Sequence, residues 1–122
     1  MAKYHGKTIT EILAGIPSTQ KRAAEAYLNG DKVRSVKFFR DELDPNEFEA
    51  FIVEDGETVL LPGVEVNDRF KVQDIHCQCG IDNEFCIHEV ALLIAVQFMM
   101  EKDSADYHSA KKQWFSSQWK LQ

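Results

Sequence analysis

The stretch CQCGIDNEFCIHEVALLIAVQFMM, residues 77–100, holds all three cysteines of the chain and one of its four histidines. Cys77 and Cys79 are two apart, and on a strand such residues point to the same face, so both sulfurs can face one ion. Cys86 and His88 are again two apart. Residues 80–85 between the pairs are enough to reverse the chain, and Gly80 permits a tight backbone after the second sulfur. Two short pairs joined by a turn make a Cys3His set, a standard closed tetrahedral site for zinc. Soft thiolates with one imidazole favour Zn2+ over calcium or magnesium. His76 points the other way on a regular strand and is not counted as a ligand.

After His88 the sequence becomes apolar nearly all round, which predicts a helix buried on most of its surface. The positive end of that helix lies beside the cysteine window and favours thiolates. A metal there staples the end of a sheet to the start of the helix, and in a small domain that binding energy is folding energy. Two other readings stay open. The cysteines can be buried as small hydrophobes with His88 as a helix cap. A redox pair is the other, although there is no C-x-x-C. A closed disulfide framework cannot use an odd number of cysteines fully.

Upstream, Ile9, Ile12, Leu13 and Ile16 recur at helical spacing. Pro17 stops that helix, and Ser18 is placed to cap a second one running to about Leu28 and ending at Asn29-Gly30. The period then changes. Val33 to Arg40 alternates, with Arg34, Val36 and Phe38 on one side. Further strands follow at Phe48 to Val53, Val59 to Leu61, Val64 to Val66 and about Arg69 to Cys77. Asp44-Pro45-Asn46, Asp55-Gly56 and Pro62-Gly63 punctuate them as turns. Downstream, Glu101 to Asp106 breaks the buried helix, and Ser104 caps a last helix through about Trp119. Tyr107, Trp114, Phe115 and Trp119 form its stripe, either packed on the rest of the domain or presented to a partner. The expected class is α+β: N-terminal helices, an antiparallel β-meander, a ββα-like zinc site, a buried helix and a C-terminal helix. The expected divisions are a helical segment over 1–30, the zinc-binding sheet and helix over 31–101, and the C-terminal helix over 102–122 on the same domain.

At 122 residues the chain can bury a modest core, and its 44% hydrophobic and 28% charged content is that of a globular protein. The longest apolar run, Val90 to Val96, is far below the ~20 residues that cross a bilayer. The first sixteen residues lack a continuous apolar core and a cleavage site, so no secretory signal is expected and an intracellular location is. Residues 1–40 carry eight Lys/Arg and three acids, whereas residues 41–106 carry three Lys/Arg and seventeen acids. The last sixteen residues add three lysines, for a net charge of −6. The chain can therefore present a basic face and an acidic one.

The pattern Cys77-Gln-Cys79, six residues, Cys86-Ile-His88, leading into Glu89-Val90-Ala91-Leu92-Leu93, resembles the SWIM zinc finger. The upstream helix and strands are similar to the family's layout, so the resemblance covers roughly Lys21 to Met100 and is specific over 77–93. Cys86-x-His88-x-x-Ala91 is similar to the recombination-mediator branch of that family. The resemblance implies one structural Zn2+ and a non-catalytic adaptor that binds protein, nucleic acid or both in DNA transactions such as recombination, transposition or transcription control. The acidity around the zinc window departs from a phosphate-binding finger. Nucleic-acid contact is expected instead from Arg22, Arg34, Lys37, Arg40, Lys111 and Lys112, and partner contact from Trp114, Phe115 and Trp119.

Two other function classes compete with the adaptor. An acidic protein that mimics DNA, or inhibits one partner with a purely structural zinc, would bind in a salt-sensitive way. A metal-dependent nuclease or hydrolase is disfavoured, because there is no H-E-x-x-H, Gly-rich phosphate loop or serine nucleophile elbow. The chain is accordingly not expected to be an enzyme, and its oligomeric state is left open.

Overall fold

A computed structural model describes residues 6–30, 32–39, 46–67, 69–77, 86–101 and Tyr107. The architecture is α+β: two N-terminal helices, an antiparallel five-stranded sheet and a later helix. Helix α1 spans Ile9–Ala14 and α2 spans Ser18–Asn29. A capping box starts α1, in which Thr8 Oγ1 accepts the Glu11 N–H and Glu11 Oε1 accepts the Thr8 N–H, both at 3.1 Å. The Thr8 backbone N–H holds the Glu11 carboxyl below the usual carboxylate range. At α2 the cap differs from the sequence expectation. Ser18 is already helical, Pro17 takes the N-cap position, and no side chain caps the helix.

The strands are β1 (Val33–Phe39), β2 (Asn46–Val53), β3 (Val59–Leu60), β4 (Gly63–Val66) and β5 (Val72–His76). The order is β1-β2-β4-β5, with β3 also on β2. One register runs through both partners of β2: Ile52 opposes Leu60, Glu49 opposes Gly63 and Asn46 opposes Val66. Strands β3 and β4 are therefore two halves of one strand. Pro62-Gly63 is not the turn its composition implies. Proline lacks an N–H and interrupts the ladder, but its fixed φ suits an extended chain, and its carbonyl still accepts the Ala50 N–H at 3.0 Å. The meander holds, with β3 and β4 in one continuous register along β2.

Another difference lies in β1. The register shifts between Val33, opposite Ile52, and Ser35, opposite Phe51. Arg34 is the extra residue of a bulge, which changes the alternation so that Val33 and Val36 are both buried. Arg34 therefore does not continue the row of Val36 and Phe38. The Phe38 ring does lie on the core side, 4.6 Å from that of buried Phe48.

Helix α3 (Ile87–Glu101) packs against β1, β2 and β4 on one side of the sheet and also against α1 and α2. That double engagement explains why it is apolar all round: Val90 to Val96 are all buried. One core joins Ile9, Leu28, Val33, Ile52, Val64, Val72, Leu92 and Tyr107. Tyr107 is therefore a core residue. The rest of the predicted C-terminal helix, and the predicted turn at Asp44-Pro45, lie outside the described residues, except that Asn46 is the first residue of β2. Among the described residues, no helix is long and apolar enough to cross a membrane.

Candidate metal centre

Strand β5 ends at His76, and Cys77 is the residue that follows it. Cys86 and His88 flank the first residue of α3. The ligand atoms of Cys77, Cys86 and His88 all lie within 4.8 Å of one another. His88 Nδ1 is 3.7 Å from Cys86 Sγ. Tetrahedral zinc, with bonds of about 2.3 Å to sulfur and about 2.05 Å to nitrogen, separates sulfur from nitrogen by about 3.5 Å. The spacing and the soft donor set therefore fit a metal ion such as Zn2+.

The helix start fixes the position of the Cys86 sulfur. Its Sγ accepts the Glu89 N–H at 3.4 Å, and Glu89 Oε1 accepts the Cys86 N–H at 3.0 Å. This is a capping box in which cysteine takes the place of serine or threonine. The Glu89 N–H and the N-terminal end of the helix thus place partial positive charge beside that sulfur.

Behind the histidine stands a carboxylate. Glu54 follows β2 at the base of the β2–β3 hairpin. Its N–H donates to the Thr58 carbonyl at 2.9 Å, and Asp55 Oδ1 accepts the N–H groups of Glu57 and Thr58, each at 2.9 Å. Glu54 Oε2 lies 2.8 Å from His88 Nε2. The Tyr27 hydroxyl of α2 donates to the same carboxylate at 2.7 Å. The Tyr27 ring meets the His88 ring edge-on at 5.4 Å between centroids, and Lys32 Nζ sits 4.9 Å over the Tyr27 ring. The Tyr27 hydrogen bond, then that of His88, holds the Glu54 carboxyl below its usual range. Burial, then the bond to Glu54, pushes the Tyr27 hydroxyl up to about 12.

Three of the four expected ligands come together, and Cys79 lies outside the described residues. His76 is directed elsewhere, with its Nε2 3.9 Å from Glu47 Oε1. Of the expected nucleic-acid residues, Arg22 is exposed on α2 and Arg34 is exposed at the β1 bulge. Lys37 is exposed on the sheet face turned away from α3, opposite Glu49. Arg22 and Lys37 thus belong to different layers. Arg40, Lys111 and Lys112 lie outside the described residues, as do Trp114, Phe115 and Trp119. Sequence reasoning missed Tyr27, Glu54 and Glu89. Only Glu89 left a local signal, the C-x-x-E spacing of a capping box. No family model, no curated protein and no solved structure matches the chain.

Proposed function

We propose that the chain is a small SWIM-type zinc module acting as a non-catalytic adaptor, which binds a protein partner, nucleic acid or both in DNA transactions. The observation that carries this reading is the convergence of Cys77, Cys86 and His88 where the sheet meets α3. Cys79, the fourth ligand expected from the sequence, would complete the set. Four protein ligands close a zinc shell and leave no open position for substrate, which is the signature of a structural rather than a catalytic site. Zinc then stabilises the junction of β5 and α3. The partner surface is the sheet face turned away from α3, where Phe39, Phe51 and Val59 are 42–49% exposed. Arg34 and Lys37 are the described residues that would meet phosphate.

Elemental analysis before and after chelation, with circular dichroism alongside, tests the metal. About one zinc per chain with folding lost on chelation is the expected result. A stable, metal-free protein would remove the reading. For the nucleic-acid half, Arg34→Ala with Lys37→Ala should lower DNA affinity and its salt slope.

A second reading has its own support. Glu47 opposes Glu65, and Glu65 opposes Asp74, across β2, β4 and β5. This acidic row on the outer sheet face suits binding to a basic protein in the manner of a DNA mimic. Such binding would fall steeply with salt, and DNA itself would not bind.

A further inference from the structure

We infer that Glu54, oriented by Tyr27, is a positioning residue of the metal centre, and that it fixes His88 as an Nδ1 rather than an Nε2 ligand. This rests on the metal reading above. Nε2 faces the Glu54 carboxylate at 2.8 Å, whereas Nδ1 faces the cysteine cluster, 3.7 Å from Cys86 Sγ. A carboxylate on one ring nitrogen holds the proton there, leaves the lone pair on the other, and makes the ring a better donor. The carboxylate is itself anchored. It is fixed to the hairpin by the Glu54 N–H bond to Thr58, and the Tyr27 hydroxyl donates to it from α2. The neighbouring Lys32 backbone N–H bonds the Tyr27 carbonyl at 2.9 Å, and the Lys32 carbonyl accepts the Val53 N–H at 2.9 Å. Helix α2, the β2–β3 hairpin and the start of α3 are thereby tied to one imidazole. The His88 side chain is nine-tenths buried, so its ring cannot turn over without breaking this arrangement.

The test is zinc affinity, by competition with a chromophoric chelator, for the full chain and for Glu54→Ala, Glu54→Gln and Tyr27→Phe. Imidazole 15N shifts of the zinc-loaded chain accompany it. Glu54→Ala should weaken zinc binding about 10–100-fold. Glu54→Gln should recover part of that, because its amide oxygen still accepts from Nε2–H. Tyr27→Phe should fall between Glu54→Gln and the unsubstituted chain. The 15N shifts should show Nδ1 metallated and Nε2 protonated. If Glu54→Ala does not fold, Glu54→Gln, Tyr27→Phe and the 15N shifts still decide the matter. Zinc bound through Nε2, or unchanged affinity in all variants that fold, would overturn this inference and leave the zinc site standing. A chain that binds no zinc would overturn the metal reading and this inference together.

Discussion

Cys86 and Glu89 cap each other: the cysteine sulfur accepts the Glu89 N–H at 3.4 Å, and the Glu89 carboxylate accepts the Cys86 N–H at 3.0 Å. The Cys86 side chain thus belongs to the candidate metal site and also caps α3. The two roles can be separated by substitution. Cys86→Ser keeps an acceptor for the Glu89 N–H but replaces a soft ligand with a hard one, so zinc stoichiometry should drop. Glu89→Ala removes the other half of the cap and leaves the ligands in place. It should keep its zinc and lose about 0.5–2 kcal/mol of stability in the loaded form. Elemental analysis and urea denaturation read the two effects. Full zinc retention in Cys86→Ser would remove Cys86 from the ligand set.

Much of this geometry is visible in the sequence because it is local. The run Val90 to Val96 predicts a helix buried all round, and α3 is buried against both the sheet and the N-terminal helices. The spacings Cys77-x-Cys79 and Cys86-x-His88 predict one cluster, and of those four residues Cys77, Cys86 and His88 come together. What escapes is long-range or hidden by composition. Glu54 reaches His88 across thirty-four residues, and Tyr27 reaches Glu54 across twenty-seven, with no periodicity to mark either pair. Pro62-Gly63 has the composition of a turn, yet it sits inside a strand paired along β2. The bulge at Arg34 is an accommodation to the partner strand, and nothing in the residues of β1 encodes it.

Gly63 illustrates why a glycine stands in that strand. A Cβ there would lie 2.6 Å from both Cε1 and Nε2 of His76 and 3.2 Å from Glu47 Oε1. Gly63→Ala must therefore displace the imidazole. The ring is the mobile end of a half-exposed side chain, so the cost should be modest, about 1 kcal/mol. In a His76→Ala background the obstruction is gone and most of that cost should vanish. A double-mutant cycle measures this coupling. Additive effects would show that the two residues do not meet.

Phe70 is the one described non-glycine residue with positive φ, at 59°. It closes the β4–β5 connection, where Asn67 Oδ1 accepts the N–H groups of Arg69 and Lys71 at 2.9 and 3.0 Å. The left-handed conformation costs a side chain with a bulky Cβ substituent roughly 1–2 kcal/mol, and asparagine much less. Phe70 is 38% exposed, so the packing of its buried part works against that strain. Phe70→Asn should raise stability by about 0.5–1 kcal/mol. Chemical denaturation checks it, and a destabilised variant would mean that the ring contributes more packing than the backbone loses.

Glu47 gives a pH dependence whose sign is set by its surroundings. Burial in the sheet face raises its carboxyl above the ordinary value of 4.5; His76 opposes this, and Glu65, Glu49 and Asp74 add to it. A raised folded pKa means that, just above pH 4.5, the native state holds more protons than the unfolded chain. Stability then falls as pH rises through that window, and at neutral pH the charged form carries the full penalty. Glu47→Gln removes the charge and should be more stable than the unsubstituted chain at about pH 7, with the advantage shrinking towards zero at about pH 4. Urea denaturation across that range measures it. An advantage that stays constant with pH would assign the effect to packing, and a loss of stability at neutral pH would mean that the contact with His76 outweighs burial.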